Sequence, residues 1–344
     1  MQKKHDLVKL FVRFINDSKT GKRLKKNGEL ISKGTIDNYN NVLKNLIQFS
    51  TETNFELYVF ESKKLNKDQV KAEKKYWKKF YLQFTDFMYK KGCFDNYVGV
   101  TIKTIRVFFN YLKVEKDFFI GEYHKSFYVR KQDVDIQVLN TEQLKFLIYD
   151  TAFEKELTIP QRIVKDMFVF GCATGLRFSD LSLLTIKNIE VVNEEYYLKT
   201  KSKKTKTYSS IKLPEFAINI STKFKTRRSS VKLFPTFDLS NFNEILKRIG
   251  EKAGWVHEVN ITREIKGVSK INQKKKKRFC DQMSSHMMRR TAITTMLVLG
   301  MPEHLVKKIS GHSHNSGSFN RYVHYAQSYL DTEIDKVHEK LNNL

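Results

Sequence analysis

The chain has 344 residues, 40% hydrophobic and 13% aromatic, which excludes a disordered or fibrous chain and leaves room for two domains with cores. Lys and Arg number 63 against 37 Asp and Glu, a formal net charge of +26. Charge of that size repels itself, so it points to a polyanionic partner: nucleic acid first, an anionic membrane surface second, a merely Lys-rich proteome as the plain alternative. No apolar run approaches the ~20 residues of a transmembrane helix. Charges break up "MQKKHDLVKLFVRFIND" too often for a signal peptide.

Residues 1–115 read as mostly helical. "HDLVKLFVRFI" sets Leu7, Leu10, Phe11 and Phe14 on one helical face, and "TIDNYNNVLKNLIQF" does so with Ile36, Tyr39, Leu43, Leu46 and Ile47. The basic, Gly-marked stretch between them is a loop or short hairpin. "VKAEKKYWKKFYLQFTDFMYKKG" and "VGVTIKTIRVFFNYLK" are two more amphipathic helices, with Gly92 a stop for the first. Periodicity fades over 116–138. A second unit opens at "LNTEQLKFLI", where Thr141 is the expected N-cap. Helices around a Gly break follow, then "EEYYLKTKSKKTKTYSSIKLP", which alternates like a hairpin with a Lys-rich turn. Helices dominate from there to the end. Cys93, Cys172 and Cys280 are far apart and odd in number, which suits a reducing cytosol better than a disulfide framework or a zinc site.

Four segments carry candidate chemistry. In "ATGLRFSDLSLL", Arg177 follows a Thr-Gly turn and Asp180 lies one helical turn on. They form either a surface i,i+3 pair or a guanidinium fork aimed at a phosphate. "KSKKTKTYSSIKLP" is either a solvated hairpin or a loop tip that delivers one ammonium into a groove. In "SSHMMRRTAITT", Ser284 or Ser285 would cap a helix whose first turn projects His286 and Arg289 from one face. Free N–H groups and the dipole make such a turn an anion site. In "MPEHLVKKISGHSHNSGSFNRYVHYA", Pro302 suits a first helical position and Gly311 a helix end. His312 follows that glycine, and Tyr322 comes ten residues later.

The ordered set of Arg, basic hairpin, His-x-x-Arg, Gly-His and Tyr resembles the tyrosine recombinase, or phage integrase, family. The matching stretches are "ATGLR", "KKTKTYSSIKL", "HMMRR", "GHS" and "RYVH". Arg290 stands where many members have His, and the His312–Tyr322 spacing is one residue longer than the commonest. Tyr325 is the alternative nucleophile. The hairpin offers two Lys-Thr pairs, so the family's lysine is Lys204 or Lys206; the match of "SSIKL" favours Lys204.

The resemblance implies a mainly α fold with a small antiparallel β-sheet. A helical, SAM-like core-binding domain would span 1–117, a linker 118–138, and a mixed α/β catalytic domain of the DNA breaking-rejoining type 139–344. It implies a site-specific recombinase, the integrase of a phage or mobile element, that needs no metal, cofactor or ATP. Arg177 and Arg289 would clamp the phosphate, and His286 and His312 would add hydrogen bonds and proton transfer, His286 being the better base. Tyr322 would attack to give a 3′-phosphotyrosyl link, and Lys204 would protonate the departing 5′-oxygen. The implied partners are double-stranded DNA and three further copies in a tetramer, with room for accessory DNA-bending proteins. Its place would be the cytoplasm, at the nucleoid. A type IB topoisomerase and a catalytically silent DNA-binding protein are the competing readings.

Overall fold

Four helices follow the apolar periodicity of the first third of the chain: α1 (Leu7–Lys19), α2 (Lys33–Thr53), α3 (Lys67–Lys90) and α4 (Asp95–Glu115). The computed structural model describes residues 2–202, 207–225, 232–271, 277–313, 316–317 and 319–342. It divides into two units, one of Met1–Asp133 with Thr262–Ile271, the other of Val134–Ile261 with Asn272–Leu344.

In the first unit Leu7, Phe11 and Phe14 are buried as their spacing predicts. In α2 the buried stripe is Tyr39, Val42, Leu46 and Phe49, while Ile47 faces solvent; a 3.6-residue period carries position 47 off that face. The core is largely aromatic. Phe80 stacks on Phe84 at 5.4 Å, and Trp77 meets Phe109 edge-on at 5.0 Å, geometries that suit the ring quadrupoles. Two short strands, β1 (Lys3–Asp6) and β2 (Tyr58–Glu61), pair antiparallel, an addition to the helical reading of this region. The basic stretch after α1 closes as a tight hairpin, with Lys25 N–H bonded to Glu29 O at 2.8 Å.

The last piece of this unit is remote in sequence. The hairpin of Thr262–Ile265 and Val268–Ile271 is held by side chains from the N-terminal segment. Asp95 is 2% exposed and accepts from the N–H groups of Lys266 (2.9 Å) and Gly267 (2.8 Å) and from the Tyr89 hydroxyl (2.6 Å). Gln132 donates to Thr262 O (3.1 Å) and accepts from Glu264 N–H (2.9 Å). The chain therefore passes between the units after Asp133, after Ile261 and after Ile271.

The second unit is mainly α with a small antiparallel sheet. It opens with α5 (Thr141–Tyr149), α6 (Thr151–Glu156), α7 (Ile159–Thr174) and α8 (Phe178–Leu181). The expected cap at Thr141 falls one residue earlier. Asn140 Oδ1 accepts the Gln143 N–H (2.8 Å) and Gln143 Oε1 accepts the Asn140 N–H (3.1 Å), a reciprocal pair that satisfies two end donors. The expected hairpin gains a third strand: β3 (Ile189–Val192), β4 (Glu195–Lys201) and β5 (Tyr208–Lys212) form one antiparallel sheet in that order. Then come α9 (Glu215–Lys225), α10 (Leu239–Lys252), α11 (Phe279–Gln282), α12 (Ser285–Val298), α13 (Glu303–Ser310) and α14 (Asn320–Asn342). Helix α7 packs on α10 and α12 and buries Val164, Met167, Phe168 and Phe170. A smaller cluster of Ile136, Val138, Ile293, Val306, Phe319 and Tyr322 joins α12, α13 and α14. Among the described residues no helix is long and apolar enough to cross a membrane.

Asp95→Ala leaves two backbone donors and a phenol without their acceptor. The expected loss is about 3 kcal/mol of stability, at about 1 kcal/mol or more for each hydrogen bond to the charged carboxylate. A urea midpoint that moves by less than the equivalent of ~1 kcal/mol would contradict the clasp.

Candidate active site

The end of α7 fixes the first group. Gly175 ends the helix at φ 67°, a left-handed conformation that side chains with a Cβ resist. Two residues on, Arg177 Nη1 donates to Ser202 Oγ (3.1 Å), and Ser202 Oγ donates to the buried Asp180 Oδ2 (3.1 Å). Arg177 and Asp180 also stand 3.9 Å apart. The i,i+3 pair therefore exists, but it is built inward, with Asp180 buried. Ser202, at the foot of β4, ties the arginine to the strand that leads into the Lys-rich turn.

Helix α12 supplies the second and third groups. Ser284 occupies the N-cap position and its side chain makes no cap bond. The free N–H of Ser285 is instead met by Asn243 Oδ1 of α10 at 2.8 Å, so the cap comes from tertiary structure. His286 lies exposed on the first turn. Arg289 is 3% exposed. Its Nη1 donates to Gly175 O (2.8 Å), and its Nη2 donates to Ser310 O. A guanidinium has five N–H donors, so two carbonyls orient the fork without using it up.

The end of α13 supplies the fourth. Pro302, expected as the first helical residue, stands at the N-cap, and Gly311 ends the helix at φ 61°. The His312 N–H reaches back to Lys307 O at 2.9 Å, which turns the imidazole toward Arg289. His312 Nδ1 lies 2.7 Å from Ser310 Oγ and 3.4 Å from Arg289 Nη2.

Tyr322 sits in the first turn of α14. It is 7% exposed, and its ring centroid is 6.0 Å from that of His312 and 5.8 Å from that of Phe319. Tyr325, the alternative nucleophile, is half-buried, and burial followed by Tyr329 pushes its phenol up. The structure thus brings together Arg177, His286, Arg289, His312 and Tyr322. Lys204 and Lys206 lie outside the described residues. Ser202, Ser310 and Asn243 were not singled out in the sequence. Serines and asparagines are too common for their positions to signal without the fold.

The electrostatics are those of an anion site. Burial, then Arg290, Arg289, Arg177 and Arg321, hold the His286 ring at about 4. Burial, then Arg289, Arg177, His286 and Lys307, bring His312 to about 4. Burial and then Arg177 bring Arg289 to about 10, opposed by Tyr322 and Asp180. Both histidines are therefore neutral at pH 7 beside charged arginines. Among the described residues no group of three His, Cys, Asp or Glu side chains is placed to hold a metal ion.

Helices around a three-stranded sheet, with these side chains converging on one point, make the fold of the tyrosine recombinases. The model of the phage integrase family matches residues 137–328, and the chain belongs to that family. Solved structures agree in fold. The XerH site-specific recombinase bound to palindromic difH substrate, a post-cleavage complex, aligns with a TM-score of 0.62 at 15% identity, over 92% of this chain and 91% of that one. A lambda integrase dimer bound to a COC′ core site aligns with a TM-score of 0.62 at 11% identity, over 93% and 77%. The Tn1549 transposon integrase with transposon right end DNA aligns with a TM-score of 0.60 at 16% identity, over 97% and 100%. Among curated proteins no sequence relative matches at a significant level.

The lowered histidines give a pH signature. The ordinary histidine value is about 6.5 and that of folded His312 is about 4. Between those values the unfolded chain takes up a proton that the folded protein refuses, so stability falls as pH drops through that window. Thermal midpoints of the parent should fall more steeply from pH 6.5 to 4 than those of His312→Asn. Parallel profiles would contradict the assignment.

Proposed function

We propose that the chain is a site-specific DNA recombinase, the integrase of a phage or other mobile element, that cleaves and rejoins strands through a 3′-phosphotyrosyl intermediate. The observation that carries the reading is the buried Arg289, oriented by two carbonyls and flanked by Arg177, His286, His312 and Tyr322. A phosphodiester is an anion that gains charge as it is attacked, and fixed donors at its non-bridging oxygens stabilise that gain. Bidentate guanidinium forks match the oxygens in shape. In this reading His312 adds a hydrogen bond at one oxygen. Neutral His286 takes the Tyr322 proton as Oη bonds to phosphorus, and the P–O5′ bond breaks. The leaving 5′-oxygen takes a proton from Lys204, or from Lys206. The energy of the broken bond stays in the tyrosyl ester, so the reverse attack of a 5′-hydroxyl reseals the strand without ATP. Phosphate bound in the arginine field would also offset the charges that hold His286 low, making it a better base when substrate is present.

The charge of +26 supports a DNA partner, because phosphate contacts supply most of such an affinity. The similar structures are described as DNA complexes, one of them a lambda integrase tetramer on a Holliday junction. They support double-stranded DNA as substrate, a tetramer as the working assembly and the first unit as a DNA-binding domain.

The test is a nicked suicide duplex carrying the element's own junction, incubated with EDTA and without ATP, then denatured. A protein–DNA adduct that maps to Tyr322 is expected. Tyr322→Phe should abolish it, Tyr325→Phe should leave it intact, and Arg289→Ala should slow it by about 100-fold or more, the usual cost of one fixed donor. An adduct on Tyr325 would overturn the choice of nucleophile. No adduct from the parent on such DNA would overturn the enzymatic reading in favour of a silent DNA-binding protein.

A further inference from the structure

Arg177 stands at the N-cap of α8 and Asp180 in its first turn, three residues on, the spacing of a direct ion pair. A guanidinium and a carboxylate free to meet close to about 2.8 Å, often through two parallel bonds. These two stop at 3.9 Å. One hydroxyl fills the difference. Ser202 Oγ accepts from Arg177 Nη1 at 3.1 Å and donates to Asp180 Oδ2 at 3.1 Å. A guanidinium can only donate, so the serine oxygen accepts from it and the one hydroxyl proton is left for Asp180. Neither charged group places this serine. The Ser202 N–H donates to Thr207 O at 2.9 Å, and Lys201 beside it pairs with Tyr208 in the ladder of β4 and β5. Asp180 is 4% and Ser202 9% exposed, and attraction between charges is stronger away from water. Without the hydroxyl, that attraction would draw the fork of Arg177 onto Asp180.

We propose that Ser202 is a positioning residue that holds Arg177 off Asp180, so that the guanidinium fork stays open to an incoming phosphate group. This rests on the recombinase reading above for its consequence, but not for its geometry. The carboxylate then orients Arg177 through the hydroxyl without taking its fork. The sheet, by carrying Ser202, sets how far apart the two charges stand.

A double-mutant cycle and a structure test this. Single-turnover cleavage of the suicide duplex by Ser202→Ala should fall about tenfold, the rate equivalent of one hydrogen bond. Ser202→Thr, which keeps the hydroxyl, should stay within about threefold of the parent on the same scale. In an Asp180→Asn background no carboxylate competes for the fork, so adding Ser202→Ala there should cost less than about twofold. A serine that only stabilised the fold would cost the same in both backgrounds. Independently, a crystal structure of DNA-free Ser202→Ala should show Arg177 and Asp180 in direct contact, at about 3.2 Å or less. Equal costs in the two backgrounds, or a separation that stays near 3.9 Å with or without a water in the gap, would overturn the proposal. Should Ser202→Ala fold poorly, Ser202→Gly carries the same comparisons. Should the parent form no adduct, the recombinase reading fails, and the crystal structure of the variant still decides what Ser202 does.

Discussion

A cation with little access to water must be held by something, and in this protein Arg289 is held by the ends of two other helices. Gly175 O comes from the turn after α7 and Ser310 O from the last residue of α13. Helix C-termini carry carbonyls without intrahelical partners and the negative end of the dipole, so they can accept a guanidinium's protons without a buried carboxylate cancelling its charge. Burial lowers Arg289 to about 10, and it stays charged at neutral pH. The charge is therefore fixed in place, and a bound anion would complete its coordination.

The surrounding groups follow from that constraint. The left-handed turn at Gly175 both exposes the carbonyl that Arg289 uses and redirects the chain to Arg177, which Ser202 and Asp180 then lock. The turn at Gly311 does the same at the other end, releasing the Ser310 carbonyl and placing His312 within reach. Burial, and then the nearby arginines, keep both histidines neutral. Each then retains one donor and one acceptor nitrogen, the state in which an imidazole can orient an oxygen or take a proton. Tyr322 enters last, from α14, against the apolar cluster that joins α12 and α13.

The first unit rests on a different device. Its helices are stabilised by interlocking aromatic rings, but one of its hairpins is encoded more than a hundred residues later and is anchored by Asp95 and Gln132. A carboxylate has no N–H of its own, so it can meet two successive turn amides and a phenol together. That single side chain thus recruits a segment whose neighbours in sequence belong to the other unit.

Much of this was legible in the residues. Apolar spacing determined the helices of the first unit, since a period of 3.6 survives any tertiary arrangement; only the rotation of α2, which leaves Ile47 exposed, needed its neighbours. Glycines before Arg177 and His312, and the His286–Arg289 spacing, marked the site because left-handed turns and one-face spacing are local properties. Long-range pairing decided the rest. The strands β1 and β2 are fifty residues apart and too short to announce themselves. The cap of α5 shifted to Asn140 because a side chain that can bond the third amide outcompetes its neighbour, and the cap of α12 came from Asn243 on another helix. Ser202 and Ser310 gained their roles only from what the fold put beside them. The sequence by itself thus determined the residue types of the site, their order and the helices that bear them. Tertiary structure alone decided which carbonyls hold Arg289, which way His312 faces and which unit the 262–271 hairpin joins, because each depends on atoms brought together from distant parts of the chain.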